Sequence, residues 1–135
     1  MAAKKIKSER VERNKYAAYL KKAQDFFEAM QQAFSSNNWN AAGLAAVHCA
    51  ISSNDALLIY FRGIRSTAEN HFDALELLQG CQEIEDAKGL VSHLRKVVAK
   101  KNLIEYEARL FYQTEAEEIV KHTERFYNEV RRLLI

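Results

Sequence analysis

Apolar residues recur along most of the chain in steps of three and four, the spacing that gathers side chains on one face of a helix. The first such stripe is Tyr16, Tyr19, Leu20, Ala23, Phe26, Phe27, Met30, Ala33 and Phe34, and it predicts a helix from about Glu9 to Phe34. "SSNNWN", residues 35–40, ends it, because small polar side chains compete for backbone hydrogen bonds and favour turns and caps. A second helix is expected from Asn38 or Asn40 to about Phe61, on Leu44, Val47, Ile51, position 54 or 55, and Leu58. Gly63 is its expected end, and Ser66 or Thr67 the expected cap of a short helix, Ala68 to Gln79, closed by Gly80. A fourth spans about Glu83 to Leu110, with Gly89 as an alternative start, on Leu90, Leu94, Val97, Lys101, Ile104 and Ala108. "TEAE", residues 114–117, fits a capping box with Thr114 as cap and Glu117 reaching back. The last helix then carries Ala116, Ile119, Val120, Thr123, Phe126, Val130 and Leu133.

Four long helices and one short one, joined by short loops, predict an all-α antiparallel bundle. The composition agrees: the chain has 135 residues, no proline and four glycines, so nothing interrupts long helices. One domain, 1–135, is expected, with residues 1–8 a frayed basic terminus in which Lys4, Lys5 and Lys7 lead into Arg10, Arg13 and Lys15. A net charge of +2 does not demand nucleic acid. The two cysteines, Cys49 and Cys81, lack ligand spacing, and Cys49 reads as a small core residue. No stretch reads as long and apolar enough to span a membrane, and no apolar segment follows the first lysines as a secretory signal would require. The cytoplasm is the expected compartment, with no membrane contact, cofactor or metal.

"AISSNDALLIYFRG", residues 50–63, is apolar at both ends and polar at its centre. Asp55 lies four after Ile51 and three before Leu58, on the buried stripe; Lys101 lies likewise between Val97 and Ile104. An unpaired buried charge is costly, so Asp55 is expected to meet Lys101 across the bundle, with Asn54, Asn102 and Glu105 extending the network. Such a network either fixes helix register or faces a ligand, and the sequence leaves both open. Phe111 and Tyr112, at a helix end, are candidates for an exposed contact. His48, Ser52 and Asp55 fall one turn apart, but without a nucleophile elbow, and His48 reads as a hydrogen-bonded core histidine. Glu118 and His122 are four apart, not the three of a di-metal bundle.

The order and spacing of several short elements resemble a HEPN domain (higher eukaryotes and prokaryotes nucleotide-binding). They are "KA-x-x-F" at Lys22 to Phe26, then "A-x-x-H-x-A-I-x-x-x-D-A" through Ala45, His48, Ala50, Ile51, Asp55 and Ala56. "K-N-x-x-E-Y-E", Lys101 to Glu107, completes the pattern before the last helix. The resemblance covers about Tyr16 to Phe126. It implies a helical bundle, often a homodimer, among proteins that include RNases of toxin–antitoxin and CRISPR systems and partners of small nucleotidyltransferases.

In those RNases a late helix carries Arg, a polar residue and, four to six positions after the Arg, His. Here Lys101 stands for the Arg and Asn102 for the polar residue, while Glu105 or Tyr106 falls where the His belongs. Lysine lacks the planar fork, and the proton-transfer group is gone. Arg65 and His71 do satisfy an Arg-x5-His string, but in the loop and start of the short helix, where capping or bonding with the Asp55 network is the expected role. The reading adopted is a binding module for a nucleotide, RNA or protein partner, with a polar cleft of Asn54, Asp55, Lys101, Asn102, Glu105 and Tyr106. An RNase using Arg65 and His71 or the altered motif, and a purely structural dimer, are the alternatives. Whether the protein is an enzyme stays open, with non-catalysis favoured.

Overall fold

The computed structural model describes residues 6–68 and 70–134, so the basic positions Lys4 and Lys5 lie outside the described residues. The order of elements is β1 (Ser8–Arg10), α1 (Tyr16–Ser35), α2 (Trp39–Arg62), β2 (Ile64–Ser66), α3 (His71–Gln79), α4 (Ala87–Val98), α5 (Lys101–Tyr106) and α6 (Gln113–Leu134). The fold is the expected all-α bundle. α2 is its axis, packed along α1 and against α6 and α4, while α3 lies on α4. Residues 52 to 59 of α2 are buried without a break. Leu57, Leu58 and Ile59 are fully enclosed, each contributing roughly 1.5–3 kcal/mol. By length and composition α2 could cross a membrane, with mean hydropathy 1.3, which corrects the expectation that no segment could. Here it is a core helix, its outward residues including Leu44 at 40% exposure rather than on the buried stripe.

Helix ends follow local chemistry. At Gly63 the chain turns left-handed (φ 63°), where a side chain would be strained, and its N–H donates to the Ile59 carbonyl at 2.9 Å. The short helix begins later than expected, because Asn70 rather than Ser66 or Thr67 caps it: its Oδ1 accepts the Phe72 N–H at 2.9 Å. The predicted helix from Glu83 to Leu110 is divided. Asp86, itself left-handed (φ 57°), starts α4 by accepting the Gly89 N–H at 3.2 Å. The chain then turns at Ala99 and Lys100, and α5 ends at Tyr106. Thr114 is not the cap of the last helix. Glu115 Oε1 accepts the Tyr112 N–H (2.9 Å), so the reach-back half of such a cap is made two residues earlier. Glu115 is also held by Arg109 through two contacts of 2.8 Å.

Residues 7 to 10 are not frayed, nor does a helix start at Glu9. β1 pairs antiparallel with β2 in the register Ser8–Ser66, Glu9–Arg65, Arg10–Ile64. The Lys7 carbonyl accepts from Thr67 and the Gly63 carbonyl from Val11 at 3.0 and 2.9 Å.

Gly43 marks where α2 meets the segment before α6. A Cβ there would lie 3.0 Å from Phe111 Cε2 and 3.1 Å from Ile104 Cδ1. Phe111 is 4% exposed, not the surface contact expected of it, and its N–H donates to Asn40 Oδ1 at 2.8 Å. Tyr112 beside it is exposed, as expected. Gly43→Val overpacks this contact and should lower stability by about 1–3 kcal/mol, read as a lower urea midpoint at unchanged m.

Candidate functional site

The polar centre of α2 opens onto a cavity of about 270 Å³ between α2, β2, α3 and α4. Its apolar walls include Ile51, Leu94 and Val98; its polar groups are Asn54, Asp55, Arg65, Ser66, Thr67 and His71. Each comes from a different local cause. Asn54 and Asp55 are carried inward by the α2 periodicity. Arg65, Ser66 and Thr67 are brought round by the Gly63 reversal and the β1 pairing. His71 is the first residue after the Asn70 cap.

Asp55 is buried as the helical spacing requires, but its partner is Arg65, not Lys101. Arg65 Nε donates to Asp55 Oδ2 at 3.1 Å. Arg65 Nη1 also lies 3.5 Å from Glu9 Oε1, and its guanidinium sits 5.5 Å from the centroid of Tyr19. Burial pushes the Asp55 carboxyl up to about 6 against the downward pull of Arg65 and Lys22. The expected pairing fails because the chain turns at Ala99 and Lys100, which takes Lys101 off the α4 stripe. Lys101 Nζ instead donates to Glu105 Oε2 one turn on, at 2.8 Å. Asn54 does not join a bonded network either. Its Oδ1 is buried without a hydrogen-bond partner, a state that ordinarily costs about 1–3 kcal/mol.

The remaining site residues gather next door. A second depression, about 510 Å³, is lined by Asn70, His71, Phe72, Lys101 and Asn102 with Val98 and Ala99. His71 and Val98 belong to both spaces. Arg65 and His71, separated in the sequence reading from the late-helix residues, thus share one cavity, and His71 touches the space of Lys101 as well. Burial and then Lys101 hold the His71 imidazole below its ordinary value, so it is neutral at pH 7. Glu105 completes this side: His48 Nε2 is 3.8 Å from Glu105 Oε1, and His48 stacks on Phe26 at the surface rather than in the core. Tyr106 stands 74% exposed, with Lys101 Nζ 5.4 Å from its ring centroid.

Sequence reasoning missed Phe72 and Asn70 as lining residues and gave Ser66 and Thr67 a capping role. The short polar run "RSTAEN" between two helices was the available signal. It named Glu118 and His122 but missed His93, which joins them from α4: His93 Nδ1 meets the buried His122 Nδ1 at 2.9 Å, and His122 Nε2 meets the exposed Glu118 Oε1 at 3.1 Å. Among the described residues no group of three or more His, Cys, Asp or Glu side chains could hold a metal ion. Both cysteines are free and buried, and burial lifts the Cys49 thiol to about 12.

Arg65→Ala should raise the Asp55 pKa further above about 6 by removing its cation. The folded variant then holds a proton that the unfolded chain, with its ordinary value near 3.8, releases. Its stability therefore falls as pH rises from the unfolded value through the folded one. Relative to the parent, the loss should be small near about pH 5 and about 1–3 kcal/mol near about pH 8, measured by urea unfolding at both; Asp55→Asn with Arg65→Ala should remove the pH dependence.

Comparison with family profiles finds the HEPN domain over residues 16–133. Comparison with curated protein sequences finds no match.

Proposed function

The chain belongs to the HEPN domain family, and on that premise we propose that it is a binding module that takes a nucleotide unit into the cavity beside Asn54. The observation that carries this reading is the unanswered Asn54 carbonyl in a cavity whose other polar groups include Arg65. A buried acceptor without a partner favours a ligand that brings an N–H donor, because the ligand removes an existing penalty. A nucleobase has such donors on its edge and flat apolar faces suited to Ile51, Leu94 and Val98. Arg65, with the Ser66 and Thr67 hydroxyls, supplies donors for sugar or phosphate oxygens. The volume, near the lower end of ordinary small-ligand pockets (roughly 300 Å³ upward), suits a mononucleotide better than a larger cofactor. Binding without cleavage is favoured because Lys101 and Glu105 or Tyr106 stand where the family's RNases carry Arg and His.

One observation favours RNA cleavage as a second reading. Arg65 and His71 line the same cavity, and a neutral His71 could accept a ribose hydroxyl proton. Arg65, however, already serves Asp55.

Calorimetric titration with the four ribonucleoside monophosphates tests the proposal. At least one should bind, and Asn54→Leu, which replaces an unpaired buried amide by an apolar group of similar shape, should weaken it by about tenfold while keeping the fold. No binding by any of the four, or equal binding by the variant, would sink the cavity reading. Incubation with labelled RNA decides the second reading: cleavage that disappears in His71→Ala would replace the binding module with a nuclease.

A further inference from the structure

The seam between α4 and α6 is a run of opposite charges with an exception at its centre. The two helices run antiparallel, so residue numbers rise along one as they fall along the other. Lys100, just past the end of α4, has its Nζ 3.7 Å from Glu115 Oε2. Lys96 acts on Glu118 and, before the start of α4, Glu85 acts on Arg132, each favouring the charged form of its opposite. Between these attractive rungs His93 stands against His122, Nδ1 to Nδ1, at 2.9 Å. The His122 side chain is 5% exposed, and its Nε2 lies 3.1 Å from Glu118 Oε1. That carboxylate fixes the tautomer: an ionised carboxylate only accepts, so His122 Nε2 carries the hydrogen and Nδ1 a lone pair. His93 Nδ1 is then the donor of the central rung, and its Nε2 keeps a lone pair.

A proton count follows from this geometry. One added proton is accommodated: His93 takes it on Nε2 and goes on donating from Nδ1, now through a charge-assisted bond. A second can go only to His122 Nδ1, and two N–H groups then point at each other across 2.9 Å. We propose that the two histidines are an acid-released latch between α4 and α6, closed with one added proton or none and opened by the second, which loosens the wall that α4 gives the inner cavity. His93 directly precedes Leu94, and Leu94 and Val98 line that cavity. The surroundings oppose the second charge. Burial first, then His122 and Arg125 from α6 and Lys96 from α4, hold the His93 imidazole below its ordinary value near 6.5, against the upward pull of Asp86. Glu129 and Arg132 share the depression beside His93 but bond each other, and Lys121 Nζ lies 3.8 Å from Glu118. α2 packs on both helices, with His48, Asp55 and Arg62 facing Glu105, Arg65 and Glu83; α3, on α4, carries Asp73 and Glu76. A metal ion would need a third ligand, and among the described residues no such group exists. The latch does not depend on what the cavity binds.

The sign follows from linkage. The folded seam resists a proton that the unfolded chain accepts near 6.5, so its stability is full above that value and falls as pH drops through it. The test is hydrogen exchange of the intact protein, read by mass spectrometry at about pH 7.5 and about pH 5 and corrected for intrinsic rates, beside nitrogen NMR of the imidazoles. One linked proton changes an opening equilibrium by up to about tenfold per pH unit, so α4 amides should lose roughly tenfold of their protection in acid while those of α1 keep theirs. His93→Asn offers His122 Nδ1 an amide N–H but takes no proton, so it should hold α4 closed in acid. Asp55, whose carboxyl sits at about 6, titrates over the same range in both proteins, so the difference between them reports the latch alone. Equal loss of α4 protection in parent and variant, or no loss in the parent, overturns the proposal. So does a loss spread evenly over α1 and α4, since the rung would then govern the whole bundle. If His93→Asn does not fold, the parent's spectra decide: both rings protonated on both nitrogens at about pH 5 with α4 still protected would sink the latch, and protonation that coincides with the loss of α4 protection would support it.

Discussion

A carboxylate at the middle of a buried helix has to be answered, and in this protein Asp55 is answered by Arg65. Much of the local architecture follows from delivering that guanidinium. The helix carrying the carboxylate must end, reverse and run back, so Gly63 turns left-handed and the next three residues become an extended strand. A lone strand leaves its backbone groups unpaired, so residues 8–10 come alongside and complete it. Glu9 then stands opposite Arg65 and adds a second, weaker carboxylate contact on the solvent side. Because the cation comes from a loop rather than from a facing helix, its neighbours Ser66 and Thr67 come with it and leave a hollow instead of a sealed interface.

The same logic separates the charges around that hollow. Asp55 has Arg65 as its partner, and burial lifts its carboxyl to about 6. Lys101 has its own carboxylate within α5. The exception is the Asn54 carbonyl, and it is uncharged. The donors of Arg65 and Lys101 are held in place by Asp55 and Glu105, and the Asn54 Oδ1 acceptor by packing. Such preorganisation lowers the cost of binding more than additional contacts would.

Much of this was legible in the chain itself. The stripes of α1 and α6, the turn at residues 35–38, the ends at Gly63 and Gly80 and the burial of Asp55 all follow from spacing and local chemistry. The partner of Asp55 was legible only in part: Arg65 was open to bonding with its network, but the main pairing was given to Lys101. Helical periodicity was carried through Ala99 and Lys100, where nothing in "VVAKKN" announces a turn, and that error placed Lys101 inside the bundle. β1 was illegible for a different reason: "SER" has no strand propensity, and its conformation is set by a partner far along the chain. The inner and outer spaces could be reached only in part, since Arg65 and His71 were visible as a string but their meeting with Asn54 depends on how a loop folds over a helix. The family profile and the residue pattern agree on the bundle.

The ladder between residues 8–10 and 64–66 also orders events in time. Its loop closes more than fifty residues, whereas α2 and the Gly63 turn are built from near neighbours. Contacts across long stretches form late, after local helices have reduced the search. During synthesis the strand formed from residues 8–10 must wait until residue 66 has left the ribosome, and the wall supplied by Leu94 and Val98 arrives later still. The hydrophobic bundle therefore does not need the cavity in order to begin folding, but the cavity needs the bundle. Until the ladder closes, Asp55 has only the water that has not yet been squeezed out for a partner, and a carboxyl that readily takes a proton makes that interval easier to pass.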